Sequence, residues 1–220
     1  MSALRILVAD DHEVVRRGLC ALLKSHDGWE VCAEAVDGRE AVHKVNQLKP
    51  DIVILDIGMP NLNGLTAARQ ILHAHPQQKI LILTMSDAEQ IVREVLNAGA
   101  RGFVLKSDAA RDLLDAVDAL ERNRTFFTSR VAKVTSDGYR NASAGQQPTL
   151  PTVSLREREI VQLLAEGKSS KEVAWVLHLS VKTIETHRSN IMRKLGIHSM
   201  SELVLYAVRN HIVQVPDGPQ

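Results

Sequence analysis

The chain has 220 residues, 45% hydrophobic and 24% charged, with a formal net charge of +1. That is a globular balance with room for two small cores, and it excludes a disordered chain. No apolar run reaches the roughly 18 residues needed for a helical membrane span. The opening Met1-Ser2-Ala3-Leu4-Arg5 runs straight into a strand-like segment. It leaves no room for a secretory signal, so a cytoplasmic location away from any membrane is expected. Cys20 and Cys32 sit inside apolar patterns with no CxxC spacing, as buried thiols in a reducing compartment do. Charge is uneven: residues 1–122 carry 14 Lys and Arg against 18 Asp and Glu, while the remainder is net basic. Two halves with different partners are therefore expected.

Taken in chain order, residues 4–9, 30–35, 51–55, 79–84 and 102–105 read as five strands rich in Val, Ile and Leu. Several are apolar almost without a break, as strands covered on both faces are. Amphipathic stretches lie between and after them near 12–25, 38–48, 65–73, 88–97 and 108–121. In the first, Val14, Val15, Leu19, Leu22 and Leu23 recur at threes and fours. Strand and helix alternating five times is the sequence form of an open parallel α/β sheet. The alternation then stops. A short 125–128 segment and one helical turn near 130–134 precede a small, polar, Pro-containing tether over 141–151. From Ser154 onward only helical patterns occur, near 156–165, 171–177, 181–195 and 201–210. The expected organisation is a first domain over 1–122, a linker over 123–153, a second domain over 154–212 and a tail over 213–220.

In parallel α/β sheets chemistry gathers at the carboxyl ends of the strands. There the first strand ends in Asp10-Asp11, the third in Asp56, the fourth in Thr84 and the fifth in Lys106. Any one of these alone is unremarkable, since an Asp pair after a strand commonly caps a helix. Together they bring three carboxylates, a hydroxyl and an ammonium to one edge. Mutually repelling carboxylates call for a hard divalent cation such as Mg²⁺. Asp56, after a central apolar run, is placed to be a nucleophile forming an acyl phosphate.

Residues 4–122 resemble the receiver domain of two-component response regulators. The matching stretches are Ile6-Leu7-Val8-Ala9-Asp10-Asp11-His12, Asp56-Ile57-Gly58-Met59-Pro60 with Asn63-Gly64, Thr84, and Gly99 through Lys106. The resemblance implies a doubly wound, flavodoxin-like fold with Asp56 as phosphoacceptor. It implies Mg²⁺ held by Asp10, Asp11, Asp56 and the Gly58 carbonyl. Thr84 and Lys106 would contact the phosphoryl oxygens, and Phe103, where tyrosine is commoner, would move with Thr84.

In the second half Ser154 and Glu157 have the spacing of a capping box, and Gly167 ends the helix they open. Ile160, Val161, Leu163 and Leu164 supply that helix's apolar face. Val173, Ala174 and Leu177 point inward from the next, and Ser180 caps the third. Along 181–195, Ile184, Ile191 and Leu195 form a buried stripe. Lys182, Glu185, Thr186, Arg188, Ser189 and Arg193 lie away from it. A short helix exposing cations and hydrogen-bonding groups suits a major groove, although a charged helix face is commonly just solvated.

The stretches Leu155-Arg156-Glu157-Arg158-Glu159, Lys171-Glu172-Val173-Ala174, Ser180 through His187 and Lys194-Leu195-Gly196 resemble the LuxR-type helix-turn-helix. With the receiver, the whole chain is similar to response regulators of the NarL/FixJ type. That implies a recognition helix over 181–195, with Glu185, Thr186 and Ser189 reading bases. Lys182, Arg188 and Lys194 would make phosphate or mixed contacts, and Lys171, Thr183 and His187 complete the DNA-contacting set. Ser170 stands where the family more often has asparagine. Glu185 is acidic where many relatives are basic, and a glutamate can accept from a cytosine amino group. The implied partners are a sensor histidine kinase, promoter DNA, RNA polymerase and a second copy of the chain on activation.

Two other readings are weighed against this one. A C-terminal half that binds another protein instead of DNA is disfavoured by the cations of the third helix. An enzyme is disfavoured because Asp56-Ile57-Gly58 lacks the second aspartate of a haloacid-dehalogenase-type phosphatase. No GxxxxGK[ST], GxGxxG or HExxH occurs either, and His73 and His75 diverge two apart on a helix.

Overall fold

The computed structural model describes residues 3–85, 88–127 and 153–213. The expected turn near 130–134, all of the tether and nearly all of the tail lie outside them. The described chain divides into two compact units, one carrying the strands and one built from the C-terminal helices.

In the first unit the strands are β1 (Leu4–Ala9), β2 (Trp29–Ala35), β3 (Ile52–Asp56), β4 (Lys79–Thr84) and β5 (Gly102–Leu105). The helices are α1 (Glu13–Lys24), α2 (Gly38–Leu48), α3 (Gly64–Ala74), α4 (Glu89–Asn97) and α5 (Ala109–Glu121), the last preceded by a single 3-10 turn, Lys106–Asp108. Pairing is parallel throughout in the order β2-β1-β3-β4-β5. All of β3 is buried, which accounts for its unbroken apolar run. Ile6, Val8, Ile52, Ile54, Leu81, Leu83 and Val104 form one cluster with Leu19, Cys20 and Leu23 of α1 and Leu113, Ala116, Val117 and Leu120 of α5. The alternate residues Leu7, Val53, Leu55, Ile80 and Ile82 are also fully buried, on the other face.

Two features depart from the pattern read along the chain. Val14 is 85% exposed, because it lies five residues from Leu19 and so falls off the buried stripe of α1. Beyond α5 the chain returns to the sheet. Phe126 bridges Gly102 in parallel, the Phe103 N–H donating to the Phe126 carbonyl at 2.9 Å. Of the two thiols, Cys20 is buried and Cys32 half-buried. Burial, helped by the nearby Glu34 carboxylate, pushes Cys20 up to about 11, so it stays a packed thiol.

The second unit comprises α6 (Leu155–Ala165), α7 (Ser170–Leu177), α8 (Val181–Leu195) and α9 (Met200–Arg209). Each opens on a serine whose hydroxyl accepts the N–H three residues on: Ser154, Ser169, Ser180 and Ser199. Ser154–Glu157 and Ser169–Glu172 are full capping boxes. Gly196 closes α8 at φ +65°, a left-handed position that costs glycine nothing. Ile160, Leu163, Val173, Leu177, Ile184, Ile191, Leu203 and Ala207 share one core. Helix α6 runs through its middle, so that even Gln162 and Glu159 are buried. Glu159 keeps its charge compensated through Arg156, whose Nη1 lies 2.7 Å away.

Candidate functional site

The strand order reverses between β1 and β3, which are neighbours although α1, β2 and α2 separate them in the chain. Their register pairs Ala9 with Leu55, so Asp10 and Asp56 emerge side by side from adjacent strand ends. Arg16 of α1 steadies the first, its Nη1 donating to the Asp10 carbonyl at 2.8 Å and its Nε to Glu34 at 3.1 Å. Lys106 arrives directly after β5, its Nζ 2.8 Å from Asp10 Oδ2 and 3.0 Å from Asp56 Oδ2. All three side chains are at least nine-tenths buried. Thr84 is fully buried at the end of β4, in register with Leu105. Phe103 is buried two register positions earlier, opposite Ile82.

Burial drives the Asp56 carboxyl above the ordinary carboxylate range; Lys106 opposes this and Asp10 adds to it. The Gly58 N–H donates to the Asp56 carboxylate, which favours its charged form. Burial would lower Lys106, but Asp56 and Asp10 outweigh it and hold the ammonium above its usual range. A buried ammonium shared by two carboxylates at a strand-end crevice marks a candidate functional site. The donor set also fits a hard divalent cation. Asp10 Oδ2 and Asp11 Oδ1 are buried without a hydrogen bond of normal geometry, their near neighbours being the Lys106 ammonium and the His12 ring. One donor atom from each of Asp10, Asp11, His12 and Asp56 lies within 4.8 Å of the other three. His12 was not singled out from the sequence, because a histidine after an Asp pair carries no spacing signal of its own.

The loop from β3 to α3 closes over Asp56. The Gly64 N–H donates to the Ile57 carbonyl at 3.1 Å, and the Asn63 side chain accepts from Thr66 at 2.8 Å to cap α3. A Cβ on Gly64 would lie 2.0 Å from the Asp56 carbonyl oxygen, so only glycine fits there.

In the second unit α8 buries Ile184 and Ile191 and exposes Lys182, Glu185, Thr186 and Ser189, with His187 and Arg188 half-buried. Lys171 is exposed in the first turn of α7. Lys182 and Arg188 carry no ion pair among the described residues. Three members of the expected set are engaged elsewhere. The Thr183 hydroxyl lies 2.7 Å from that of Ser180, as part of the cap. Lys194 donates to Glu157 Oε2 at 2.8 Å, tying α8 to α6. Thr186 donates back to the Lys182 carbonyl at 2.9 Å. Sequence spacing along one helix could not reveal the Lys194 pair, because its partner is 37 residues away.

The Lys194 ammonium holds Glu157 below the usual glutamate range, helped by the Ser154 cap. A carboxyl lowered on folding contributes stability that is present above its unfolded value and lost as pH falls. Thermal melts of the full chain and of Glu157→Gln should differ by about 0.5 kcal/mol at pH 7, a small figure because Lys194 is partly solvated. That gap should close as the pH drops below 4.5. A gap unchanged at pH 3 would assign it to packing instead.

Residues 6–118 match the family described as the response regulator receiver domain, and residues 151–207 match the bacterial regulatory proteins of the luxR family. The oxygen regulatory protein NreC of Staphylococcus aureus (strain MRSA252) is 39% identical over 217 residues, covering 96% of this chain and all of that protein. Among solved structures, a LuxR-family two-component response regulator from Aurantimonas sp. SI85-9A1 is 33% identical with a TM-score of 0.59, covering 63% of this chain and 99% of its own. RcsB from Salmonella enterica serovar Typhimurium, bound to promoter P1flhDC in the presence of the phosphomimetic BeF3-, is 29% identical with a TM-score of 0.57, covering 93% of this chain and 98% of its own.

Proposed function

The chain belongs to the response regulators that join a receiver domain to a LuxR-type helix-turn-helix, phosphorylation-controlled DNA-binding regulators of transcription and not enzymes, and on that premise we propose that Asp56 is its phosphoacceptor. The observation that carries the assignment is the Lys106 ammonium, set between the Asp10 and Asp56 carboxylates at the edge where the strand order reverses. An Asp56 carboxylate oxygen attacks the phosphorus of a phosphohistidine on a sensor kinase. A P–O bond forms, the P–N bond breaks, and the electron pair stays on the imidazole nitrogen, which takes up a proton. Asp10, Asp11, Asp56 and the Gly58 carbonyl would hold Mg²⁺, which when bound offsets the charge of the incoming group. Lys106 and Thr84 then hold phosphoryl oxygens, and Lys106 exchanges a carboxylate partner for a phosphate one. That exchange biases a two-state receiver surface, with Phe103 following Thr84, and favours a dimer. About 3–5 kcal/mol of differential interaction moves such a switch from mostly off to mostly on.

In the second domain, residues 154–212, α8 enters the major groove of promoter DNA as a dimer on paired half-sites. Glu185, Thr186 and Ser189 face base edges. Lys182, Arg188 and Lys171 hold the backbone, with His187 alongside. Thr183 and Lys194 contribute through the cap and the tie to α6. Residues 123–153 form the linker, and the regulator works in the cytoplasm beside RNA polymerase. No helix among the described residues is long and apolar enough to cross a membrane.

The test is selection of genomic DNA fragments by the purified chain with Mg²⁺, with and without a small phosphodonor. Two-fold-symmetric sites that enrich more strongly with the donor are expected. Equal enrichment in both conditions would remove the phospho-switch and keep the DNA reader. On a selected site, Lys182→Ala should weaken binding evenly across sequences and reduce the salt slope by about one. Glu185→Ala should instead relax preference at one base pair, by about 1–3 kcal/mol. Salt titrations on matched and mismatched duplexes separate the two.

A further inference from the structure

We propose that Phe126 is a strap that passes the phosphorylation state of the receiver to the linker, by pairing with the strand that carries Phe103 and leads into Lys106. The proposal rests on the assignment of Asp56 as phosphoacceptor and deepens it. Helix α5 ends at Glu121, and Asn123 then takes a left-handed φ of +60°. The Asn123 N–H donates to the Leu120 carbonyl at 3.0 Å and the Arg124 N–H to that of Ala119 at 2.8 Å, a closure that turns the chain off the helix end. The turn brings Phe126 against β5, the edge strand of the sheet, opposite Gly102. Its N–H donates to the Arg101 carbonyl at 3.0 Å, and its carbonyl accepts from the Phe103 N–H at 2.9 Å. The Phe126 side chain is half-buried and packs against the core that contains Val104 of β5 and Leu113, Val117 and Leu120 of α5.

An edge strand needs its outer backbone groups covered, and a short polar segment could do that anywhere along it. Phe126 does it at the residue on which the switch turns. One of its two backbone partners is Phe103, which is fully buried opposite Ile82. Lys106 follows three residues later, held 2.8 Å from Asp10 and 3.0 Å from Asp56. A phosphoryl group on Asp56 that draws in Lys106 pulls on β5, and only Gly102–Leu105 lies between Arg101 and Lys106 to absorb the pull. Hydrogen bonds of this length weaken steeply when stretched or bent. A displaced β5 therefore either carries Phe126 with it or breaks the pair of bonds. Those are two discrete arrangements, which is what coupling between distant sites requires. The chain runs on from Phe126 toward the DNA-binding domain, so the linker receives either outcome directly.

The experiment follows amide hydrogen exchange at Phe103 and Phe126 in the full chain by NMR, with Mg²⁺, before and after a small phosphodonor. Labelling and DNA binding are then compared in wild type, Phe126→Pro and Phe126→Leu. Proline removes both the N–H that reaches Arg101 and the aromatic anchor, whereas leucine keeps the backbone bonds and most of the apolar contact. In wild type the two amides should change protection together on phosphorylation, by about tenfold or more. That measurement needs no variant to fold. Phe126→Pro should label within about twofold of wild type and keep its unphosphorylated DNA binding, while its gain in DNA affinity on phosphorylation falls about tenfold. Phe126→Leu should retain most of that gain. A full gain in Phe126→Pro would overturn the strap, as would amides that exchange alike in both states of a wild type that labels. Loss of labelling in Phe126→Pro would overturn it too, by making the segment a support of the pocket. A wild type that does not label would remove the phosphoacceptor assignment itself, and the strap with it.

Discussion

Asp56→Asn should reduce labelling by a small phosphodonor to background, a loss of at least about a thousandfold, while the chain stays folded. An amide nitrogen replaces the oxygen that must attack phosphorus, and the remaining amide oxygen is a poor nucleophile, so no other group in the pocket takes over. The fold should hold because the Asp56 carboxylate is a burden to the native state. Burial drives its carboxyl above the ordinary range, with Asp10 adding to the effect and Lys106 opposing it. A carboxyl raised on folding costs stability at neutral pH, and the cost disappears as acid protonates it. Removing the charge leaves Lys106 paired with Asp10 at 2.8 Å. The melting midpoint of Asp56→Asn at pH 7 should therefore equal or exceed that of wild type, with the difference shrinking toward low pH. Mass spectrometry after incubation with the phosphodonor and Mg²⁺ reads the first outcome, and calorimetry the second. Retained labelling would remove Asp56 from its role. A large drop in the midpoint would show that the charge helps hold the β3 edge together.

Gly64→Ala is expected to cost about 3 kcal/mol or more and to impair labelling with it. The new methyl would lie 2.0 Å from the Asp56 carbonyl oxygen and 2.8 Å from its carbon. Those are backbone atoms of a buried central strand, which cannot rotate aside as a side-chain end can. The clash is relieved only by moving the α3 N-terminus or the chain at Asp56 and Ile57, which displaces the reacting carboxylate. For a domain of this size the midpoint should fall by roughly 10–20 °C. Gly102→Ala is the control. There the added Cβ meets Leu81 Cδ1 at 2.6 Å and Leu120 Cδ1 at 3.1 Å, both ends of flexible side chains. A cost of about 1 kcal/mol with normal labelling is expected for it. If Gly64→Ala melts within a few degrees of wild type, the loop over Asp56 is more accommodating than its packing indicates.

The sequence by itself determined the elements and the strand ends. Unbroken apolar runs such as Ile52-Val53-Ile54-Leu55 announce a strand covered on both faces, and serines three residues before a backbone donor announce the helix starts, because these signals are local. It also determined which residues could meet, since Asp10, Asp11, Asp56, Thr84 and Lys106 all stand at carboxyl ends of parallel strands. The tertiary structure alone decided which ones do. The strand order that sets Asp10 beside Asp56, and the Lys106 ammonium between them, depends on crossovers that no local pattern encodes. The same holds for Val14, apolar yet exposed; for Lys194, cationic yet committed to Glu157; and for His12, whose ring turns from its helix toward the carboxylates. In each case the residue type fixes what a side chain can do. The field, burial and partner atoms supplied by distant parts of the chain fix which of those things it does.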